Sequence, residues 1–192
     1  MEPTRHDTDT GSPEPRPARA DFGIREALPD EHQALGQLMV QVYSRLEGFP
    51  KPHEQPNYYR MLSGIGELAL KPHAKLLVAV AGSRLLGGVV YFSDMAQYGS
   101  GGTATQEKHA SGFRLLAVDP EARGLGVGRD LVKRCIALAL EHKHAQVVIH
   151  TTSAMATAWK MYEKMGFKRS LDLDFMQGDL QVFGFRLDLT KP

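Results

Sequence analysis

Leu116-Ala-Val-Asp-Pro120-Glu-Ala-Arg123-Gly-Leu-Gly126-Val-Gly128-Arg129 is the stretch that decides how this sequence folds. It overlaps the end of an apolar run, Phe113–Val118, that reads as a strand stopped by Asp119-Pro120. It opens a helix predicted from about Gly128 to His142, with Leu131, Val132, Cys135, Ile136, Ala139 and Leu140 in one apolar stripe. Glycine at 124, 126 and 128 lets the backbone turn tightly and approach a ligand with no Cβ in the way. The unpaired amides of the helix's first turn then face outward at the positive end of its dipole, an arrangement that binds phosphate. Arg123 and Arg129 flank the loop and can add charge to the same anion. A plain strand-to-helix turn needs one glycine, so three glycines with two arginines point to an anion site.

Spacing narrows the ligand. A Walker loop needs Gly-x-x-x-x-Gly-Lys-Ser/Thr, and the sequence has no such run. A dinucleotide fingerprint needs Gly-x-Gly-x-x-Gly, but counting from Gly124 the sixth position is Arg129, and from Gly126 it is Leu131. What remains is Arg-x-x-Gly-x-Gly at Arg123, Gly126 and Gly128.

On the amino-terminal side, Phe22-Gly-Ile24-Arg-Glu-Ala reads as a short strand, and Asp30 as the cap of a helix through about Leu46. A second helix is predicted around Asn57–Leu70, interrupted by Gly64 and Gly66. Lys75–Ala81 and Leu85–Phe92 read as a hairpin, followed by a long polar loop, Ser93–Ser111. Beyond the central helix come a strand at Val147–His150 and a helix at Ala154–Met165 ended by Gly166. A last hairpin pairs Phe167–Phe175 with Leu180–Leu189. The order is β-α-α-β-β-β-α-β-α-β-β, a mixed α/β layout. Residues 1–20 hold four of the 11 prolines and no large aliphatic residue after Met1, so they read as a disordered tail before one domain over residues 21–192.

Composition bounds the function. The 192 residues carry 23 Lys+Arg against 22 Asp+Glu, a formal net charge of +1, which argues against a partner that is nucleic acid or an anionic membrane. No apolar stretch approaches the ~18 residues of a membrane helix. One cysteine, Cys135, on the apolar helix stripe, fits a reducing compartment and a core position. With no signal-peptide pattern at the amino terminus, the expected location is the cytoplasm. The 19 glycines, 19/192 or about 10%, exceed the usual ~7%.

The run Leu116-Ala-Val-Asp-Pro120 with Arg123-x-x-Gly126-x-Gly128 resembles the signature of the GNAT superfamily of acyl-CoA-dependent N-acetyltransferases. Ala158-Trp-Lys-Met-Tyr162-Glu-Lys-Met-Gly166-Phe167 is similar to the family's second motif, a helix and the strand after it. The resemblance covers about residues 22–189 and implies a mostly antiparallel sheet of six to seven strands with helices on both faces. It implies acetyl-CoA as co-substrate and no metal. By position, Arg123, Gly124, Leu125, Gly126, Val127, Gly128 and Arg129 would hold the pyrophosphate, and Leu116, Ala117 and Val118 would pair with the pantetheine arm.

Tyr162 matches the family's general acid, because a phenol can give a proton to a departing thiolate of comparable basicity. The same tyrosine shares a helical face with Met155 and Trp159, as a packing residue would. His150 stands where one branch of the family carries its base, and a strand-end histidine satisfied by neighbours is the competing view. Glu107 and His109 in the long loop are further candidates. The family often has Asn where this chain has Met155, a polar contact that Ser153 or Thr152 would have to supply. His142, Lys143 and His144 close a helix, where cations suit the dipole, without a third metal ligand. Tyr58-Tyr59-Arg60 and the Ser93–Ser111 loop are candidates to face an acceptor.

The expected activity is acetyl transfer from acetyl-CoA to a primary amine, small-molecule or peptide, by direct attack in a ternary complex. A homodimer is compatible with it. The alternative is a GNAT-fold acyl-CoA sensor or regulatory partner without turnover.

Overall fold

The computed structural model describes residues 21–190, so the expected tail, residues 1–20, lies outside the described residues. The chain runs β1 (Gly23–Glu26), α1 (His32–Ser44), α2 (Pro56–Ser63), β2 (Ala74–Ala81), β3 (Arg84–Phe92), β4 (Ala110–Val118), α3 (Val127–Glu141), β5 (Gln146–Thr151), α4 (Ala156–Lys164), β6 (Lys168–Arg169), β7 (Phe175–Gln177) and β8 (Leu180–Asp188). The sheet order is β1-β2-β3-β4-β5-β8-β6, with β7 also on β8. Every pairing is antiparallel except β4–β5.

Helices cover both faces. Leu35, Met39 and Val42 of α1 and Leu62 of α2 pack on Leu76, Val78, Val90 and Phe92. On the other face Leu131, Val132, Cys135 and Leu138 of α3 and Tyr162 of α4 pack on Ala79, Val89, Phe113, Ile149 and Phe185. Each such aliphatic side chain contributes about 1.5–3 kcal/mol on burial. Burial also pushes the Cys135 thiol up from its ordinary range, so it stays a packing group.

Four expectations need correction. Asp30 does not cap α1: it sits in a 3-10 turn started by Pro29, and Glu31 reaches back instead, accepting from the Leu28 amide at 2.8 Å while paired with Arg25. The second helix breaks at Gly64 as expected, but Gly66 does not interrupt it: Gly66 lies inside a separate 3-10 turn, Ile65–Leu70. Leu140 is exposed, and Leu138 takes its place in the α3 stripe. The arm Phe167–Phe175 is split into β6 and β7 by a 3-10 turn at Leu171–Leu173, which raises the strand count to eight. The split has a packing cause: Leu173 drops fully buried onto Gly184, where an added Cβ would collide with the Leu173 Cβ. The Arg169–Asp174 ion pair at 2.6 Å spans the excursion.

Candidate active site

The β4–β5 ladder lasts three residue pairs: Ala110 with Gln146, Ser111 with Val147, and Gly112 with Val148. Past Gly112, β4 bulges. Gly88 of β3 faces Ala117 and Val90 faces Arg114, so Leu115 and Leu116 share one partner residue on β3. Leu115 takes a left-handed backbone (φ +60°), which costs a non-glycine residue about 1–2 kcal/mol. Burial of the Leu115 side chain and a hydrogen bond from Tyr43 Oη to the Leu116 carbonyl (3.3 Å) hold it there. The extra residue breaks the side-chain alternation. Leu115 joins the α1/α2 face, as does Arg114, whose guanidinium lies over the Tyr98 ring, while Leu116 and Val118 pack on the α3 face.

With β4 and β5 parted, a cavity of about 450 Å³ opens between them. Leu116, Val118, Arg123, Gly124, Val127, Gly128, His150 and Tyr162 all line it, so most of the residues singled out from sequence converge on one space. Ala117 turns into the core instead, and Leu125, Gly126 and Arg129 do not line it.

At its α3 end the loop is built as its glycines require. Gly124 (φ +81°) and Gly126 (φ +88°) are left-handed, and Gly126 is the residue before the helix. The Asp130 amide closes onto the Gly126 carbonyl at 3.0 Å, so the amides of Val127, Gly128 and Arg129 lack an intrahelical acceptor. Gly126, the residue before the helix, has no side chain with which to cap them. Arg123 is exposed at the rim, and Arg129 contacts Asp130 at 3.5 Å. Donors without acceptors at the positive end of a 15-residue helix suit an anion, so the cradle fits a pyrophosphate.

The opposite bank is β5 and α4. The hydroxyls of Thr151 and Thr152 are buried in the cavity wall with no hydrogen-bond partner among the described residues, which suits a polar ligand there. Thr152 is one of the two residues expected to replace the missing Asn; Thr151 carries no motif and was invisible in the sequence. Met155 precedes α4 and packs with the α1/α2 layer, so it does not share a face with Trp159 and Tyr162. Tyr162 is 5% exposed, with its ring against Phe113 and Phe167 and no hydrogen bond to its hydroxyl among the described residues. Burial pushes the phenol well above its usual range, so it remains protonated.

His150 is held at both nitrogens. Nε2 donates to the Leu173 carbonyl (2.9 Å), which leaves Nδ1 to accept from Tyr98 Oη (3.2 Å). Burial lowers its pKa below 6.5. This is the arrangement of a histidine satisfied by neighbours. Glu107 and His109 do not line the cavity: Glu107 pairs with Arg186 at 2.5 Å, and the His109 carbonyl accepts from Ala145. Of the expected acceptor-side elements, Tyr58 and Ser100 line the cavity, whereas Tyr59 bonds the Pro50 carbonyl and Arg60 bonds Asn57. Arg114 also lines it, and only its charge within an apolar strand marked it in the sequence.

The structure of yncA from Salmonella typhimurium with its cofactor acetyl-CoA has this fold, with a TM-score of 0.62 over 90% of this chain and 96% of that one, at 16% identity. The two chains thus share a fold. The pattern of the Acetyltransferase (GNAT) family matches residues 38–167, and the chain belongs to that family. N-acetylaspartate synthetase from Danio rerio is 38% identical over 57 residues, 30% of this chain and 20% of that protein. Human N-alpha-acetyltransferase 30 is 32% identical over 97 residues, 48% of this chain and 23% of that protein. The chain therefore spans less than a quarter of either relative's length.

Proposed function

We propose that this protein transfers an acetyl group from acetyl-CoA to a primary amine. The observation that carries the proposal is the parting of β4 and β5, with unpaired amides of α3 at one side of the opening and Tyr162 at the other. The two relatives, by name an N-acetylaspartate synthetase and an N-alpha-acetyltransferase, support acetylation of nitrogen. In this assignment the amides of Val127, Gly128 and Arg129, with Arg123 and Arg129, bind the pyrophosphate. Leu116 and Val118 bound the pantetheine channel. The acceptor nitrogen forms the new C–N bond as the C–S bond breaks, the sulfur takes a proton from Tyr162, the nitrogen gives one up to solvent, and Tyr162 recovers its proton from solvent. Tyr162 suits this task although burial raises its pKa, because the same dry site disfavours the thiolate it protonates. His150, with both nitrogens engaged, acts as a wall residue, and no side-chain base is assigned.

That last feature, with Met155 in place of Asn, also favours the second reading, an acyl-CoA sensor without turnover. Incubation with acetyl-CoA and an amine panel, following thiol release, separates them. Release is expected, and Tyr162→Phe should lower it about 100-fold with acetyl-CoA affinity unchanged. Acetyl-CoA binding with no release on any amine favours the sensor, and an unimpaired Tyr162→Phe removes Tyr162 from the chemistry.

A further inference from the structure

The acceptor half of the cleft has a charge pattern that selects among amines. Its walls are apolar and aromatic, formed by Tyr43, Phe49, Tyr58, Phe175, Leu180 and Val182. None of the described residues lining the cavity is Asp or Glu, and Arg114 is the cation set among these rings. Arg114 is half-buried on β4, over the Tyr98 ring, with its Nη1 donating to the Tyr98 and Gly99 carbonyls at 2.8 and 2.7 Å. It pairs with no carboxylate among the described residues, and its Nε and Nη2 make no hydrogen bond to them. Its charge is felt around the cleft: it opposes the burial that raises the Tyr43, Tyr58 and Tyr98 phenols, and adds to the burial that lowers His150.

A guanidinium fixed by one nitrogen, with the rest of its fork unclaimed in apolar surroundings, suits a planar anion. A polycationic amine entering the same space would meet a like charge and no carboxylate. We infer that the acceptor is a primary amine that carries a carboxylate on an apolar body, an apolar α-amino acid or an amine of like chemistry, with Arg114 taking the carboxylate. This inference rests on the acetyl-transfer assignment and names the substrate class for it. The bulge at Leu115 is part of the device, because it places Arg114 and Leu115 consecutively on the α1/α2 face. The positive charge also favours the neutral form of the incoming amine, the form that attacks.

Matched pairs test it: phenylalanine against phenethylamine and leucine against isoamylamine, each pair differing only in the carboxylate, with spermidine as the polycation. In the wild type the amino acid of each pair should be used with kcat/KM about tenfold to 100-fold above its decarboxylated partner, and spermidine should be slowest. Arg114→Gln should erase the ratio by raising KM for the amino acids, with acetyl-CoA affinity unchanged. Arg114→Lys, which keeps a donor for the loop carbonyls, serves if the glutamine variant misfolds, and should shrink the ratio. Calorimetric titration of N-acetylphenylalanine into the CoA-loaded protein reads the same contact without turnover. Binding by wild type and loss in the variants supports the carboxylate site. Equal or better use of the decarboxylated amines or of spermidine overturns the inference while leaving acetyl transfer intact. Binding of N-acetylphenylalanine through Arg114 with no turnover on any amine keeps the site and removes the enzyme. No preference, and no binding, overturns the inference outright.

Discussion

The two ends of the cleft handle charge by different means. At the α3 end the donors are backbone amides, and the residues that make them available are glycines with left-handed dihedrals, all within a dozen positions of sequence. At the end proposed for the acceptor the donor is one side chain, Arg114. It is oriented by carbonyls 15 and 16 residues away and enclosed by rings from α1, α2, β7 and the loop before β4. A site made of backbone leaves its mark in residue spacing, because only certain residues permit the conformation. A site made of side chains gathered from afar leaves little mark.

The sharpest way to break this contrast is at Gly126. A β-branched residue at φ +88° is strained whatever the space, so Gly126→Val should cost about 2 kcal/mol of stability and cut acetyl-CoA affinity at least tenfold in calorimetric titration. Gly82→Val puts comparable strain into the β2–β3 turn (φ +60°), where a Cβ meets nothing within 4 Å, and should leave affinity alone. Equal losses of affinity would mean that the loop acts through stability alone.

A smaller effect sharpens the acceptor end. His150 is half-buried against Phe175, with its pKa lowered from 6.5, so the unfolded chain binds more protons as the pH falls below about 6.5. Stability should therefore be full above that pH and decline below it, visible as a falling thermal midpoint. His144 is lowered in the same direction, so His150→Gln should flatten the profile only in part. A wild-type profile that is flat or rises on acidification would contradict the assigned hydrogen bonds.

The smallest expected change is at Thr151. Its buried hydroxyl has no partner among the described residues, so Thr151→Val should raise the stability of the free protein by about 1 kcal/mol in urea unfolding. The same variant should weaken acetyl-CoA binding a few-fold if that hydroxyl serves the ligand. A destabilised variant would show that the hydroxyl is satisfied after all.

What the sequence made legible follows the same division. The element order was readable from periodicity, and the cradle from Gly124, Gly126 and Gly128. Tyr162 was singled out because its motif is local, and it lines the cavity. The Leu115 bulge was not, since a left-handed leucine has no residue signature and depends on burial and Tyr43 for its support. His150 was singled out by position. Its occupation depends on the Leu173 carbonyl 23 residues on, delivered by an excursion that alternation alone would read as continuous strand. Arg114 lay in plain view inside a run that reads as apolar, and its meaning comes from neighbours that fold around it.

The shortness of the β4–β5 ladder has a mechanical consequence. Among the described residues, three residue pairs are the sheet's whole seam between a half containing β1 to β4 and a half containing β5 to β8. A molecule lying in the opening is walled by one half on each side, and so bridges them as a staple would. Its binding energy then counts toward the cohesion of the whole sheet: at 100 times its dissociation constant, a ligand specific to the folded state adds about 2.7 kcal/mol. The co-substrate would be, for as long as it stays, the missing length of that seam.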